Sequence, residues 1–203
     1  MIVGICGGSG SGKTTLLNQL STYFSAIRPT VFSMDNYYLP IEKQVKDENG
    51  EYIFDLPSAL DIDHLLSDLK TLMNGTSIQV KEYLFNVPSA EQSYIELQPS
   101  ELIIVEGLFL FYFEELVQLL DYNVFIDIDS ELQLERRLKR DVQYRGYTEA
   151  AVLYQWKQHV LPNFKKYVHP YEHLANFRFR NNEHAREDFE TLVQNISKQL
   201  SKE

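Results

Sequence analysis

Residues Gly7-Gly8-Ser9-Gly10-Ser11-Gly12-Lys13-Thr14 match the pattern G-x-x-x-x-G-K-[ST], and no other stretch limits the fold so sharply. Ile2 to Cys6 ahead of it is a short apolar run. Lys13 to Phe24 behind it carries Leu16, Leu17 and Leu20 at helical spacing. A strand, a glycine loop and a helix in that order make a phosphate-binding loop. The residue types follow from the chemistry. Glycines let consecutive backbone N–H groups turn inward around phosphate oxygens. The start of the helix adds its dipole. Lys13 reaches the β- and γ-phosphates of a nucleoside triphosphate, the Thr14 hydroxyl ligates Mg²⁺, and Thr15 continues the cradle.

The remaining chain alternates strand-like and helix-like segments. Thr30 to Met34, Leu102 to Val105 and Asn123 to Ile128 read as strands, the last two as strands buried on both faces. Residues 36–60 are rich in turns. Asp61 to Met73 is an amphipathic helix, ended by Gly75. Ser130 is the expected cap of a helix to about Tyr144, and Thr148 of the next. Asn176 to Arg180 fits an edge strand and Ala185 to Leu200 a closing helix. The alternation predicts an α/β fold of the P-loop NTPase type, a parallel sheet with helices on both faces. Residues 77–97 read as a β-hairpin excursion. The length of 203 residues favours one domain over 1–203.

The net charge of −10 argues against a nucleic-acid partner. No apolar run reaches the roughly 20 residues of a membrane span. The single cysteine, Cys6, excludes an intrachain disulfide and fits a reducing, cytoplasmic compartment. It reads as a small buried residue, and His64 as lying on the polar side of its helix. His169 and His173 are four apart, but Pro170 lies between them and no third ligand stands out. Glu131 to Arg145 runs against the acidic trend, with Arg136, Arg137, Lys139, Arg140 and Arg145 against three acids.

A phosphate loop alone does not name a reaction. A GTPase needs an Asn-Lys-x-Asp base reader, and the chain has no Asn-Lys pair. Asp47-Glu48-Asn49-Gly50 has the spacing of a switch motif but follows no apolar strand, so it reads as a turn. For the second acid beside Mg²⁺, Glu106 and Asp127 are rivals, since each closes an apolar strand.

Further stretches follow the loop in order: Asp35-Asn36-Tyr37-Tyr38, then Phe54-Asp55-x-Pro57-x-Ala59-x-Asp61, then IIVEG and FIDID. Arg136-Arg137-x-x-Arg140-Asp141-x-x-x-Arg145-Gly146 closes the series. This order resembles the uridine–cytidine kinase family, within the uridine kinase and phosphoribulokinase group, over about residues 2–184. The resemblance implies ATP and Mg²⁺, with a nucleoside as the small-molecule acceptor. It implies Asp35 as general base toward a ribose 5′-hydroxyl and Asp55 as acceptor of the ribose hydroxyls. Arg137 and Gln155 fall where the family has its other ribose contacts. Tyr38 and Phe54 join the substrate side, and Tyr83 and Phe85 match an aromatic pair that holds the base. Glu106 becomes the Mg²⁺-side acid, and Arg140 and Arg145 the arginines of a helical lid, residues 130–147, over the phosphates. Arg136 and Lys139 are left to a solvated face, with Glu135 and Asp141 as their partners. The resemblance further implies a dimer or tetramer.

Two positions depart from the family. Pro88 stands where a base-contacting histidine is usual, and Tyr147 where a second base-contacting arginine is. Both lose a hydrogen-bonding reader of the base. No motif reads the donor base, so GTP stands beside ATP. Two other readings stay open: a kinase for another hydroxylated metabolite, of the phosphoribulokinase or pantothenate kinase sort, and a non-catalytic nucleotide-binding regulator.

Overall fold

β1 (Ile2–Cys6) is buried along its whole length, because in the computed structural model, which describes residues 1–83 and 93–202, it lies mid-sheet. It pairs in parallel with β5 (Ile103–Gly107) on one side and β6 (Tyr122–Asp127) on the other. β2 (Thr30–Ser33) flanks β5 and β7 (Phe177–Arg180) flanks β6, also in parallel. The order is β2-β5-β1-β6-β7.

Side chains of a strand alternate between faces, and each face has its own core. Val3, Ile5 and Val124 pack with Leu16, Leu17 and Leu20 of α1 (Lys13–Tyr23) and Leu192, Val193 and Ile196 of α7 (Ala185–Leu200). Ile2, Cys6 and Phe32 face the other way, toward Leu65, Leu69 and Leu72 of α2 (Ile62–Met73). The Asp61 carboxylate caps α2 by accepting the His64 N–H at 3.2 Å. β3 (Ile78–Lys81) and β4 (Tyr94–Leu97) form a separate antiparallel pair, as the hairpin reading expects. Phe85 and Pro88 lie outside the described residues.

β2 stops one residue earlier than the sequence pattern predicts. Ser33 Oγ accepts the Asp35 N–H at 3.3 Å and starts a 3-10 turn over Met34–Tyr37. That turn leaves Asp35 at the carboxyl edge of the sheet, where Ser33 lies in register with Glu106. α3 (Glu114–Val117) is a short turn beyond β5.

α4 (Ser130–Tyr144) also departs from expectation at its start. Asp129 occupies the cap position, Ser130 is the first helical residue, and no side chain caps the helix. α5 (Glu149–Gln155) is capped as expected, with Thr148 Oγ1 accepting the Ala151 N–H at 3.2 Å. It widens into a π turn over Trp156–Val160 before α6 (Leu161–Tyr167). Pro162 gives the reason. Its ring would press on the carbonyl four residues back, and it has no N–H to donate there. The Leu161 N–H instead bonds the carbonyl of Trp156, five residues earlier. Trp156 and Val160 enter the core, at 6% and 3% exposure.

Candidate active site

The glycine loop joins β1 to α1 at the carboxyl edge of the sheet. Gly10 (φ 82°) and Gly12 (φ 98°) adopt left-handed backbone, which glycine reaches without a side-chain clash. A Cβ on Gly10 would also meet the Gln133 carbonyl at 2.9 Å, and one on Gly12 would collide with the Asn181 amide. Lys13 Nζ donates to the Gly8 carbonyl at 3.2 Å, arching over the loop. Gly7, Gly8 and Ser11 form its buried underside and do not face the cavity, whereas Ser9, Gly10, Gly12, Lys13, Thr14 and Thr15 do. The Ser11 hydroxyl is buried with no hydrogen-bond partner among the described residues.

A cavity of about 430 Å³ opens above the loop. Asp35 and Glu106 stand in its wall near Lys13. Glu106 is 3% exposed, and Ser33 Oγ donates to its Oε1 at 2.7 Å. Burial, and next the Asp35 carboxylate, push its carboxyl up to about 7 against the pull of Lys13 and Ser33. Asp127 is elsewhere, half-exposed and 3.7 Å from Arg178, so of the two rival acids only Glu106 reaches the cavity. The oxygens of Thr14, Glu106 and Asp35 are hard donors. Mg²⁺ prefers such a set, with few protein ligands and the rest from phosphate and water.

Tyr38, Phe54, Asp55, Arg137 and Gln155 also line the cavity. Arg137 is 7% exposed. Its Nη1 donates to Ser9 Oγ at 2.8 Å and its Nη2 to Gln155 Oε1 at 3.1 Å, so one side chain joins the phosphate loop to Gln155. Burial raises the Asp55 carboxyl, and Arg137, His159 and Arg140 act against it. Burial and the carboxylates of Asp35 and Asp55 hold the Tyr38 phenol well above its usual range. The Tyr38 ring lies 5.9 Å from Phe54 and 5.3 Å from Tyr83. Tyr83 backs Tyr38 and is not itself in the wall; burial pushes its phenol up to about 12.

The basic patch is organised differently from a solvated face. Asp141 is 1% exposed and lies 3.2 Å from Arg137 Nε, 2.7 Å from Arg140 Nε and 3.2 Å from Arg145 Nη1. Arg140 and Arg145 line the cavity beside it. Arg136 also lines it, donating to the Asn181 carbonyl at 3.4 Å. Arg136 and Asp141 therefore leave the solvated class, while Lys139 is exposed as expected.

Four further residues of the wall were not picked out by sequence reasoning: Tyr52, Leu108, His159 and Asn181. Asn181 directly follows the last parallel strand, a position from which it could have been found. Its Nδ2 donates to the Ser11 carbonyl at 2.6 Å. Tyr147 lies in the wall as well.

Residues 2–185 match the model of the Phosphoribulokinase / Uridine kinase family. The chain belongs to this family. Within it, the chain is 35% identical to uridine kinase of Chlamydia pneumoniae, over 87% of this chain and 79% of the relative. It is 31% identical to uridine-cytidine kinase B of Dictyostelium discoideum, over 98% and 82%. Against two longer relatives, it spans only 35% and 36% of their length. Among solved structures, one described as a Possible Uridine Kinase from Bacillus stearothermophilus superposes with a TM-score of 0.53 at 25% identity. That match covers 78% of this chain and 85% of the other. The parallel sheet with helices on both faces is thus a family architecture.

Proposed function

We propose that the protein transfers the γ-phosphoryl group of ATP to the 5′-hydroxyl of uridine or cytidine, giving the nucleoside monophosphate and ADP. The observation that carries this reading is the sharing of one cavity by the glycine loop with Lys13 and by Asp35, Asp55 and Arg137. A nucleotide sensor would need only the first of these groups. The relatives named as uridine and uridine–cytidine kinases support the choice of acceptor.

In this reading Ser9, Gly10 and Gly12 to Thr15 hold the donor phosphates, with Lys13 on the terminal groups and Gly7, Gly8 and Ser11 shaping the loop from beneath. Thr14 and Glu106 would hold Mg²⁺, which when bound would neutralise charge on the donor phosphates. Asp55 accepts the two vicinal ribose hydroxyls, and Arg137 and Gln155 fix the sugar from the other side. Tyr38, Phe54, Tyr83 and Phe85 supply flat surfaces for the base. Asp35 orients the 5′-hydroxyl and takes its proton as the new oxygen–phosphorus bond forms and the β–γ bridge bond breaks. Arg140 and Arg145 stabilise charge on the transferring group.

A panel of nucleosides and small alcohols with ATP, followed by ADP release, tests the reading. Turnover of uridine or cytidine is the expected result. Turnover of only a non-nucleoside alcohol would move the protein to another branch of metabolite kinases, and no ADP with any acceptor would favour a regulator.

A further inference from the structure

The turn Asp47-Glu48-Asn49-Gly50 has no part in the reaction above, yet both oxygens of the Asp47 carboxylate are engaged. Oδ1 accepts the backbone N–H of Asn49 at 2.8 Å and of Glu51 at 2.9 Å. Oδ2 accepts the Tyr154 hydroxyl at 2.6 Å and His159 Nε2–H at 2.8 Å. A carboxylate only accepts, so the imidazole carries a proton on Nε2. Asn49 Nδ2 donates to the same Tyr154 hydroxyl at 2.6 Å. The Tyr154 bond, with help from the others, holds the Asp47 carboxyl well below its usual range.

Both ends of this link lead into the cavity wall. Beyond the turn the chain pairs back through a Lys46–Tyr52 bridge and runs into Tyr52, Phe54 and Asp55, all in the wall. On the other side, His159 is 3% exposed, lies in the π turn and is itself part of the wall. It stands four residues beyond Gln155 and acts on the Asp55 carboxyl. The segment between Tyr38 and Asp61 is built from short 3-10 turns and isolated bridges, so little regular structure offsets its ordering entropy.

We propose that Asp47 and His159 form a clamp that positions the acceptor loop, residues 44–55, against the π turn and so sets the place of Asp55. The inference rests on the ribose-binding role assigned to Asp55 above. His159 and Asp47 are positioning residues: they act on the acceptor through the loop. An open loop lowers the fraction of molecules competent to bind, and the apparent affinity falls by that fraction.

Asp47→Asn separates the turn from the clamp. The asparagine Oδ1 still accepts the two backbone N–H groups, but its Nδ2 cannot accept from Tyr154 or His159. His159→Phe keeps a ring and removes the N–H. Both variants are expected to raise the KM for the nucleoside by about tenfold. In Asp47→Asn, at a position outside the cavity wall, the KM for ATP and the kcat at saturating nucleoside stay within about twofold, and the melting temperature stays close to that of the unaltered protein. The double variant should lose no more than the single ones, because both break one link. Hydrogen exchange over residues 45–56 should quicken in Asp47→Asn. Unchanged nucleoside KM, parallel losses in ATP KM and stability, or additive losses in the double variant would overturn the clamp. If the unaltered protein turns over no nucleoside, the proposed function fails by itself. Exchange over 45–56 then decides the clamp: quicker in Asp47→Asn supports it, unchanged overturns it.

Discussion

Arg140 Nε donates to the buried Asp141 carboxylate at 2.7 Å. The same carboxylate faces Arg137 and Arg145, both at 3.2 Å. One buried anion thus ties together three guanidiniums that crowd a single cavity. Burial and Arg140 both pull the Arg145 guanidinium below its ordinary range, and Asp141 counters them. Asp141→Asn keeps the shape and removes the charge. Breaking a buried pair costs about 3–5 kcal/mol, so the melting temperature should fall by several degrees. The kcat should fall at least about tenfold as Arg140 and Arg145 lose their aim. Melting curves and turnover at saturating substrates read the two effects. An unchanged melting temperature would show that the carboxylate is not the hub.

Lys13 and Asp35 share one cavity but have different tasks, and their variants should separate. Lys13→Met removes the charge nearest the terminal phosphates and should reduce turnover by about a thousandfold. Asp35→Asn keeps a polar side chain but removes the proton acceptor, so kcat should fall about a hundredfold or more. Nucleotide affinity, measured calorimetrically, should stay nearly unchanged in the second variant. A parallel loss of affinity would reassign Asp35 to a structural role.

The fold was legible because its signals are local. The phosphate loop, the apolar runs of β1, β5 and β6 and the heptad-like leucines of α2 each fix one element and its buried face. The parts of the site that escaped depend on neighbours far along the chain. Asp141 looks like any acid on a charged helix until Arg137 is tied to Ser9, 128 residues away. His159 and Asp47 are 112 residues apart, so their pairing has no sequence period. Helix spacing puts Arg136 and Arg140 on one face but cannot say what that face meets. The Ser130 cap was misplaced by one residue, a shift that local residue preference does not resolve.

Glu106 gives a test by pH that needs no substrate. Its carboxyl sits at about 7 in the folded protein, above its ordinary value of 4.5. Between those values the native state holds a proton that the unfolded chain has released. The stability this provides is complete below about pH 4.5, fades as pH rises through about 7, and is absent above it. At about 1.4 kcal/mol per pH unit, the total is on the order of a few kcal/mol. Denaturant titrations in the presence of a chelator should show stability declining across this window. Glu106→Gln stays neutral and can still accept from Ser33, so it should flatten that decline. An equal slope in the variant would mean that another group supplies it.

Tyr147 stands in the cavity wall. A phenol offers one donor, whereas a guanidinium offers a charged fork that can take a carbonyl oxygen of a pyrimidine. A site that lacks such a reader discriminates less between bases. The unaltered protein should therefore prefer uridine over adenosine only modestly, by about tenfold or less in kcat/KM. Tyr147→Arg should widen that ratio severalfold, chiefly by lowering the KM for uridine. Taking the ratio within one protein cancels any loss of stability from a further cation beside Arg140 and Arg145. A ratio that does not move would mean that the base never reaches residue 147 and that the aromatic rings alone hold it.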